Sequence, residues 1–227
     1  MQRLAELPLN FDVPRTPAAA DWHIDDFRQQ LRAEPPGEPL PGGTWEVACS
    51  LVRHYEFADP ALVQRVHRSS DTLAESDLLL VTRFYGLTFR LPCRVGEVVD
   101  DTACGVRRWG WNYRTLQGHL EQGQMGFSVR KDLTSGAVEF RVQAYSRAAP
   151  IANPVVRLGF ELFGRSTQLR FIRGACLRMA ALSDPAKNGP PLPGPSRGQP
   201  AAGGPGPARF APGAGRAEPP AEGSRRR

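Results

Sequence analysis

The chain has 227 residues and a formal net charge of +6, with 41% hydrophobic and 23% charged residues. No stretch approaches the roughly eighteen consecutive apolar residues of a membrane-spanning helix, and MQRLAELPLNFDVPR lacks the apolar run of a secretory signal, so the chain reads as cytoplasmic and reduced. Residues 184–227 hold eleven of the twenty-two Pro, nine of the twenty-three Gly and seven of the basic residues against three acidic ones; this tail carries +4 of the charge and too little apolar surface to offset its ordering entropy.

In chain order, residues 1–20 are Pro-broken and Ala-rich and read as a loosely attached arm. Ile24, Phe27 and Leu31 recur at helical spacing behind Asp21, which predicts a short helix. The segment EPPGEPLPGG, 34–43, has the composition of a linker. Over 44–57 two periods compete. Thr44 can cap a helix with Trp45, Ala48, Cys49 and Val52 on one face, while Trp45, Val47, Cys49 and Leu51 suit a strand; helix is favoured. Asp59-Pro60 predicts a second short helix to about His67.

From Asp77 the period is two. Strands are predicted at 78–84, 87–91, 94–100, 105–114, 119–130 and 137–147, the last two joined by the hairpin loop Asp132-Leu133-Thr134-Ser135-Gly136. In the last strand Val138, Phe140, Val142 and Ala144 share a face. Asn153-Pro154 then opens a long helix ending near Leu182, with Val155, Leu158, Leu162, Leu169, Ile172, Cys176 and Met179 on its apolar side. The pattern is α+β: a curved antiparallel sheet whose dry face is covered by one long C-terminal helix, preceded by short N-terminal helices. The folded domain is expected over 21–183, between the arm and a disordered tail at 184–227.

The chemistry gathers at 106–130, VRRWGWNYRTLQGHLEQGQMGFSVR. Trp109, Trp111 and Tyr113 alternate with Arg108, Gly110 and Asn112, and Met125 and Phe127 continue the apolar face on the following strand. His119 and Glu121 fall on that same face, where ionisable groups are costly unless paired or used. Three readings stay open for the pair: polar anchors on a pocket wall, a structural knot at the bend, or catalytic acid–base groups. Candidate ligand contacts are therefore Trp109, Trp111, Asn112, Tyr113, His119, Glu121, Met125 and Phe127, with His119 and Glu121 the candidate catalytic residues.

Cys49, Cys93, Cys104 and Cys176 show no C-x-x-C spacing, so neither a metal nor another cofactor is expected. GFELFGRS at 159–166 imitates a phosphate loop with Arg where Lys is required, inside a helical pattern. The aromatic stripe comes without the motifs of nucleic-acid readers, and the terminal Arg225, Arg226 and Arg227 leave only an electrostatic contact through the tail as an alternative role.

WGWNYRTLQGHLEQGQMGFSV, VEFRVQAYSRAAPIANP and RLGFELFGRSTQLRF resemble uncharacterised protein family 0548 over about residues 20–182. The shared core T-L-x-G-H-x-E stands here as Thr115, Leu116, Gly118, His119 and Glu121. The resemblance implies the START-like, or Bet v 1-like, helix-grip fold, an antiparallel sheet wrapped around a C-terminal helix beside an apolar cavity. It assigns no catalytic residue. The expectation is a domain binding a small, largely apolar ligand, with an enzyme of the cyclase or hydrolase kind on the same fold as the alternative.

Overall fold

A computed structural model describes residues 4–13, 22–66, 73–74, 76–84 and 87–184, all within one unit, residues 1–191. The expected tail lies, Asp184 apart, outside the described residues, as does His67. The elements are β1 (His23–Gln30), α1 (Thr44–His54), β2 (Val63–Val66), β3 (Asp77–Phe84), β4 (Leu87–Ala103), β5 (Val106–Thr115), β6 (Glu121–Asp132), β7 (Val138–Ala148) and α2 (Pro154–Leu182). The strands form one antiparallel sheet of seven in the order β1-β7-β6-β5-β4-β3-β2.

From β2 to β7 the sheet is a meander, each strand paired with its sequence neighbour, as period-two segments separated by short turns dictate. The segments expected at 87–91 and 94–100 are one strand, β4, which passes through Pro92 and carries a bulge between Val95 and Val98. At the β6–β7 hairpin the Asp132 carboxylate accepts from the backbone N–H of Thr134 and Ser135, at 2.9 and 2.7 Å, and Gly136 takes φ +77°.

Two expected helices are absent. Residues 23–30 are strand β1, paired with β7 from His23↔Ser146 to Gln30↔Glu139. The helical spacing of Ile24, Phe27 and Leu31 is outweighed by an open sheet edge: Ile24 faces out, and Asp25 and Phe27 face in. At Asp59-Pro60 the carboxylate caps a single turn, accepting from Ala61 N–H at 2.9 Å. The chain then straightens into β2 against β3.

Helix α1 settles the ambiguity over 44–57, burying the expected Trp45, Ala48, Cys49 and Val52. Thr44 is not its cap. Gly43 occupies that position without a side-chain bond, and the Glu34 carboxylate accepts from Trp45 N–H at 2.8 Å instead. The same carboxylate receives Lys131 Nζ at 2.7 Å, and Lys131 also donates to the Glu38 carbonyl at 2.9 Å. This fully buried ion pair ties the linker 34–43 and the start of α1 to the end of β6.

Residues 4–13, expected as part of a loose arm, are docked. Leu9 bridges to Leu116, Leu4 and Phe11 are buried, and Asn10 donates to the Glu121 carbonyl at 2.8 Å while accepting from Thr115 Oγ1 at 2.6 Å. Backbone bonds and the Asn10 side chain make this attachment beside two isolated buried apolar residues, Leu4 and Phe11, so apolar periodicity gives no sign of it.

Helix α2 starts where expected, with Asn153 Oδ1 accepting from Val155 and Val156 N–H. Its second half closes the core, with Phe171, Ile172, Ala175, Cys176 and Met179 buried. In the first half the expected inward residues Val155, Leu158 and Leu162 are 77%, 57% and 63% exposed. A second apolar stripe, Val156, Gly159, Phe160, Phe163 and Thr167, lines the cleft over the sheet there, joined by Val155 but not by Leu158 or Leu162. Both stripes have helical spacing, so periodicity alone cannot choose between them.

Candidate functional site

Between the first half of α2 and the inner face of β3–β6 the molecule leaves a cleft of about 310 Å³. Alternation along the strands supplies its floor: Leu80 and Thr82 from β3, Phe89 and Leu91 from β4, Tyr113 from β5 and Met125 from β6. The Thr82 hydroxyl donates to the Leu62 carbonyl at 2.8 Å, so its polarity is already satisfied within the chain. Helix α2 supplies the roof through Phe160, Phe163, Thr167, Gln168 and Phe171, and Tyr55 at the end of α1 closes one side.

The polar end of the cleft is made by His119 and Glu121. Thr115, at the end of β5, accepts from Gly123 N–H at 2.9 Å, which folds the chain back into β6, and Gly118 takes the left-handed φ of +93° between them. His119 Nδ1 lies 2.9 Å from the backbone nitrogen of Glu121 and 3.1 Å from its carbonyl oxygen. The ring is thus fixed by the main chain of Glu121 rather than by its carboxyl group, and Nε2 is the nitrogen left over. Burial drives the imidazole pKa down to about 4, against a smaller upward pull from the Glu121 backbone, so the ring is neutral at physiological pH.

Glu121 moves the other way. Burial raises its carboxyl to about 7, partly countered by the Arg165 guanidinium and reinforced by Asp25. Arg165 is already committed: it holds Asp25 through two bonds of 2.6 and 2.7 Å and donates to Gln168 Oε1 at 2.7 Å. Gln168 in turn donates to Ser146 Oγ at 3.0 Å and reaches Glu121 Oε2 at 3.5 Å. Burial also raises the Tyr113 and Cys93 groups close by. The Tyr113 hydroxyl donates to Met125 Sδ at 3.5 Å. Among the described residues the buried Tyr55 hydroxyl makes no well-formed hydrogen bond, and its nearest polar neighbour is the Tyr113 hydroxyl, close enough for each to influence the other's ionisation.

Of the residues singled out in the sequence, Tyr113, His119, Glu121 and Met125 line the cleft. Trp109, Trp111 and Phe127 share their face of the sheet but lie under α1: Trp111 Nε1 donates to the Val52 carbonyl at 3.0 Å, Arg53 stacks over Trp109 at 4.5 Å, and Phe127 packs on Phe57. Asn112 faces the opposite side, where Oδ1 accepts from Glu97 N–H at 3.3 Å beside the β4 bulge. The helix α1 therefore divides the aromatic stripe into a core part and a cleft part. Sequence reasoning missed Gln168 and the Asp25–Arg165 pair, whose roles depend on β1 lying beside β7 under α2. It also missed Phe160 and Phe163, legible only as the second apolar stripe of α2. The residues 159–166 that imitate a phosphate loop are helical.

Among the described residues no group of three or more His, Cys, Asp and Glu side chains is placed to hold a metal ion, and no helix is long and apolar enough to cross a membrane.

No curated protein matches the chain. Among solved structures, it is similar to the hypothetical protein jhp0584 from Helicobacter pylori, at 12% identity over 72% of this chain and 88% of that one, with a TM-score of 0.45. It is also similar to Ara h 8.0201, at 7% identity over 71% of this chain and 97% of that one, with a TM-score of 0.41. A START superfamily protein from Mycobacterium smegmatis matches at 12% identity over 69% and 99%, with a TM-score of 0.40. A family model matches residues 10–178, a span that holds the docked Asn10, the whole sheet and nearly all of α2. The chain therefore belongs to the family described as a domain of unknown function, DUF1990.

Proposed function

We propose that this is a small-molecule-binding domain of the helix-grip kind, as the resemblance to uncharacterised protein family 0548 implies, and that it holds a small, largely apolar ligand in the cleft under α2. The observation that carries the reading is a cleft of about 310 Å³ walled by aromatic and aliphatic side chains with His119, Glu121 and Gln168 gathered at one end. Such a wall, mostly apolar with a few convergent polar groups, is the usual form of a small-molecule site. At roughly 30 Å³ for each water-sized group, the space suits a ligand of about ten non-hydrogen atoms.

The division of labour follows from the geometry. The second half of α2 and all of α1 bury the structural core, so the first half of α2 is free to serve the ligand. Apolar burial supplies most of the affinity and the polar end sets orientation. Of the three readings of His119 and Glu121, pocket anchor is the one this assigns; their side chains make no mutual bond, since the imidazole is tied to the Glu121 backbone.

Native mass spectrometry of the freshly purified full chain tests for a retained small molecule, and titration with hexan-1-ol followed by amide chemical shifts tests for binding in the cleft. Saturable shifts confined to Leu80, Phe89, Gly159, Gly164 and Thr167 are expected. No retained mass together with no saturable shift at these residues overturns the proposal.

A further inference from the structure

We infer that the ligand is an apolar amine, held by its ammonium group at the Glu121 carboxylate with its hydrocarbon part among the aromatic rings of the cleft; this rests on the ligand-binding reading above. The lining contains one carboxylate and no Lys or Arg. The neighbouring cation that would neutralise it, Arg165, is spent on Asp25 and Gln168. A carboxylate has about four acceptor positions, yet among the described residues the Glu121 carboxyl group receives one long bond, 3.5 Å from Gln168 Nε2. The Glu121 carboxyl group is therefore short of donors among the described residues, and an ammonium group brings three.

The walls make the same choice. Tyr55, Phe89, Tyr113, Phe160, Phe163 and Phe171 line the cleft, and the negative face of an aromatic ring attracts a cation and repels an anion. His119 does not compete for the ammonium group: Nδ1 accepts from the Glu121 N–H at 2.9 Å, which leaves the proton of the neutral ring on Nε2. A fatty acid would set a second carboxylate against the first in an apolar site, where like charges are costly. A neutral alcohol would leave the acceptors of Glu121 underused.

The pH dependence follows from the groups around Glu121. His119 is neutral above about 4, burial keeps Cys93 and Tyr113 protonated, and Asp25 is ion-paired with Arg165. Glu121 is thus the group that ionises near 7 in the empty cleft. An ammonium ligand must displace its proton below that pH, so affinity for an amine falls about tenfold per pH unit there and is level above it.

Calorimetry of the full chain with hexylamine, hexan-1-ol and hexanoate at pH 8.5 and pH 5.5, repeated with Glu121→Gln, tests the inference. At pH 8.5 hexylamine is expected to bind about 10- to 100-fold more tightly than hexan-1-ol, the ratio typical of bonds to charged groups, with hexanoate the weakest. Lowering the pH to 5.5 should shrink that advantage at least tenfold. Glu121→Gln should remove the advantage of hexylamine over hexan-1-ol, with an unchanged circular dichroism spectrum and cooperative urea unfolding certifying that the variant folds. Binding of hexan-1-ol with no advantage for hexylamine, or an advantage that survives Glu121→Gln, overturns the inference and spares the cleft reading. Failure of all three probes to bind overturns both.

Discussion

Glu121→Gln should uncover a pH dependence of stability that the wild-type protein conceals. Glu121 titrates at 4.5 in its ordinary state and at about 7 in the folded protein. It thus holds a proton on folding that the unfolded chain has released, and its contribution is fully present below about 4.5 and lost as the pH rises through 7. His119 is displaced in the opposite sense, from 6.5 to about 4: its contribution is fully present above 6.5 and lost as the pH falls through 4. Each displacement spans about 2.5 pH units, and at about 1.4 kcal/mol per unit each is worth about 3–4 kcal/mol. Between about 4.5 and 6.5 the two slopes have equal size and opposite sign, so the pair contributes almost nothing to the wild-type profile. In Glu121→Gln only the histidine slope survives, and stability should climb with pH by about 1.4 kcal/mol per unit relative to wild type. In His119→Asn, which keeps an amide to meet the Glu121 backbone, stability should fall with pH by a similar amount. Urea unfolding at half-unit steps from pH 4.5 to 7.5, with the m-value checked for constancy, measures both. Parallel profiles for wild type and Glu121→Gln across this window would refute the assignment of a raised pKa to Glu121 and remove the support it gives to the amine inference.

Two further outcomes test the packing. Phe140→Ala should cost about 3–5 kcal/mol, since the ring is fully buried beside Phe57, whereas Leu162→Ala, at a residue 63% exposed on the outer side of α2, should stay within about 0.5 kcal/mol; a large loss at Leu162 in urea unfolding means that the inward stripe of α2 has been misassigned. Lys131→Met should cost about 3–5 kcal/mol by stranding the buried Glu34 carboxylate, whose pKa is pushed up by burial but held below its usual value by Lys131 and the N–H groups of Trp45 and Leu40. Adding Glu34→Gln should recover part of that loss, and a single variant with the wild-type urea midpoint would refute the role given to the pair.

What the sequence determined by itself was whatever depends on strict local period and on strong punctuation. Trp109, Trp111 and Tyr113 alternate without interruption, so β5 and its dry face are legible. Asp132 through Gly136 spells its hairpin, and Asn153-Pro154 fixes the start of α2 to the residue, because a capping side chain and a proline leave few other conformations. The polar end of the cleft was legible too, since His119 and Glu121 stand where the alternation calls for apolar groups. Tertiary structure decided the rest. Residues 23–30 carry a weak helical pattern, but a free edge on β7 made them a strand, and that choice alone put Asp25 under Arg165. Helix α2 offers two apolar stripes of the same period, and only the curved surface beneath it selects Val156, Phe160 and Phe163 over Leu158 and Leu162. Trp109, Trp111 and Phe127 belong to the core rather than the cleft because α1 lies on them, a long-range contact that no local spacing encodes. The physical reason is common to all three: period reports which residues seek burial, whereas what they are buried against depends on surfaces assembled from distant parts of the chain.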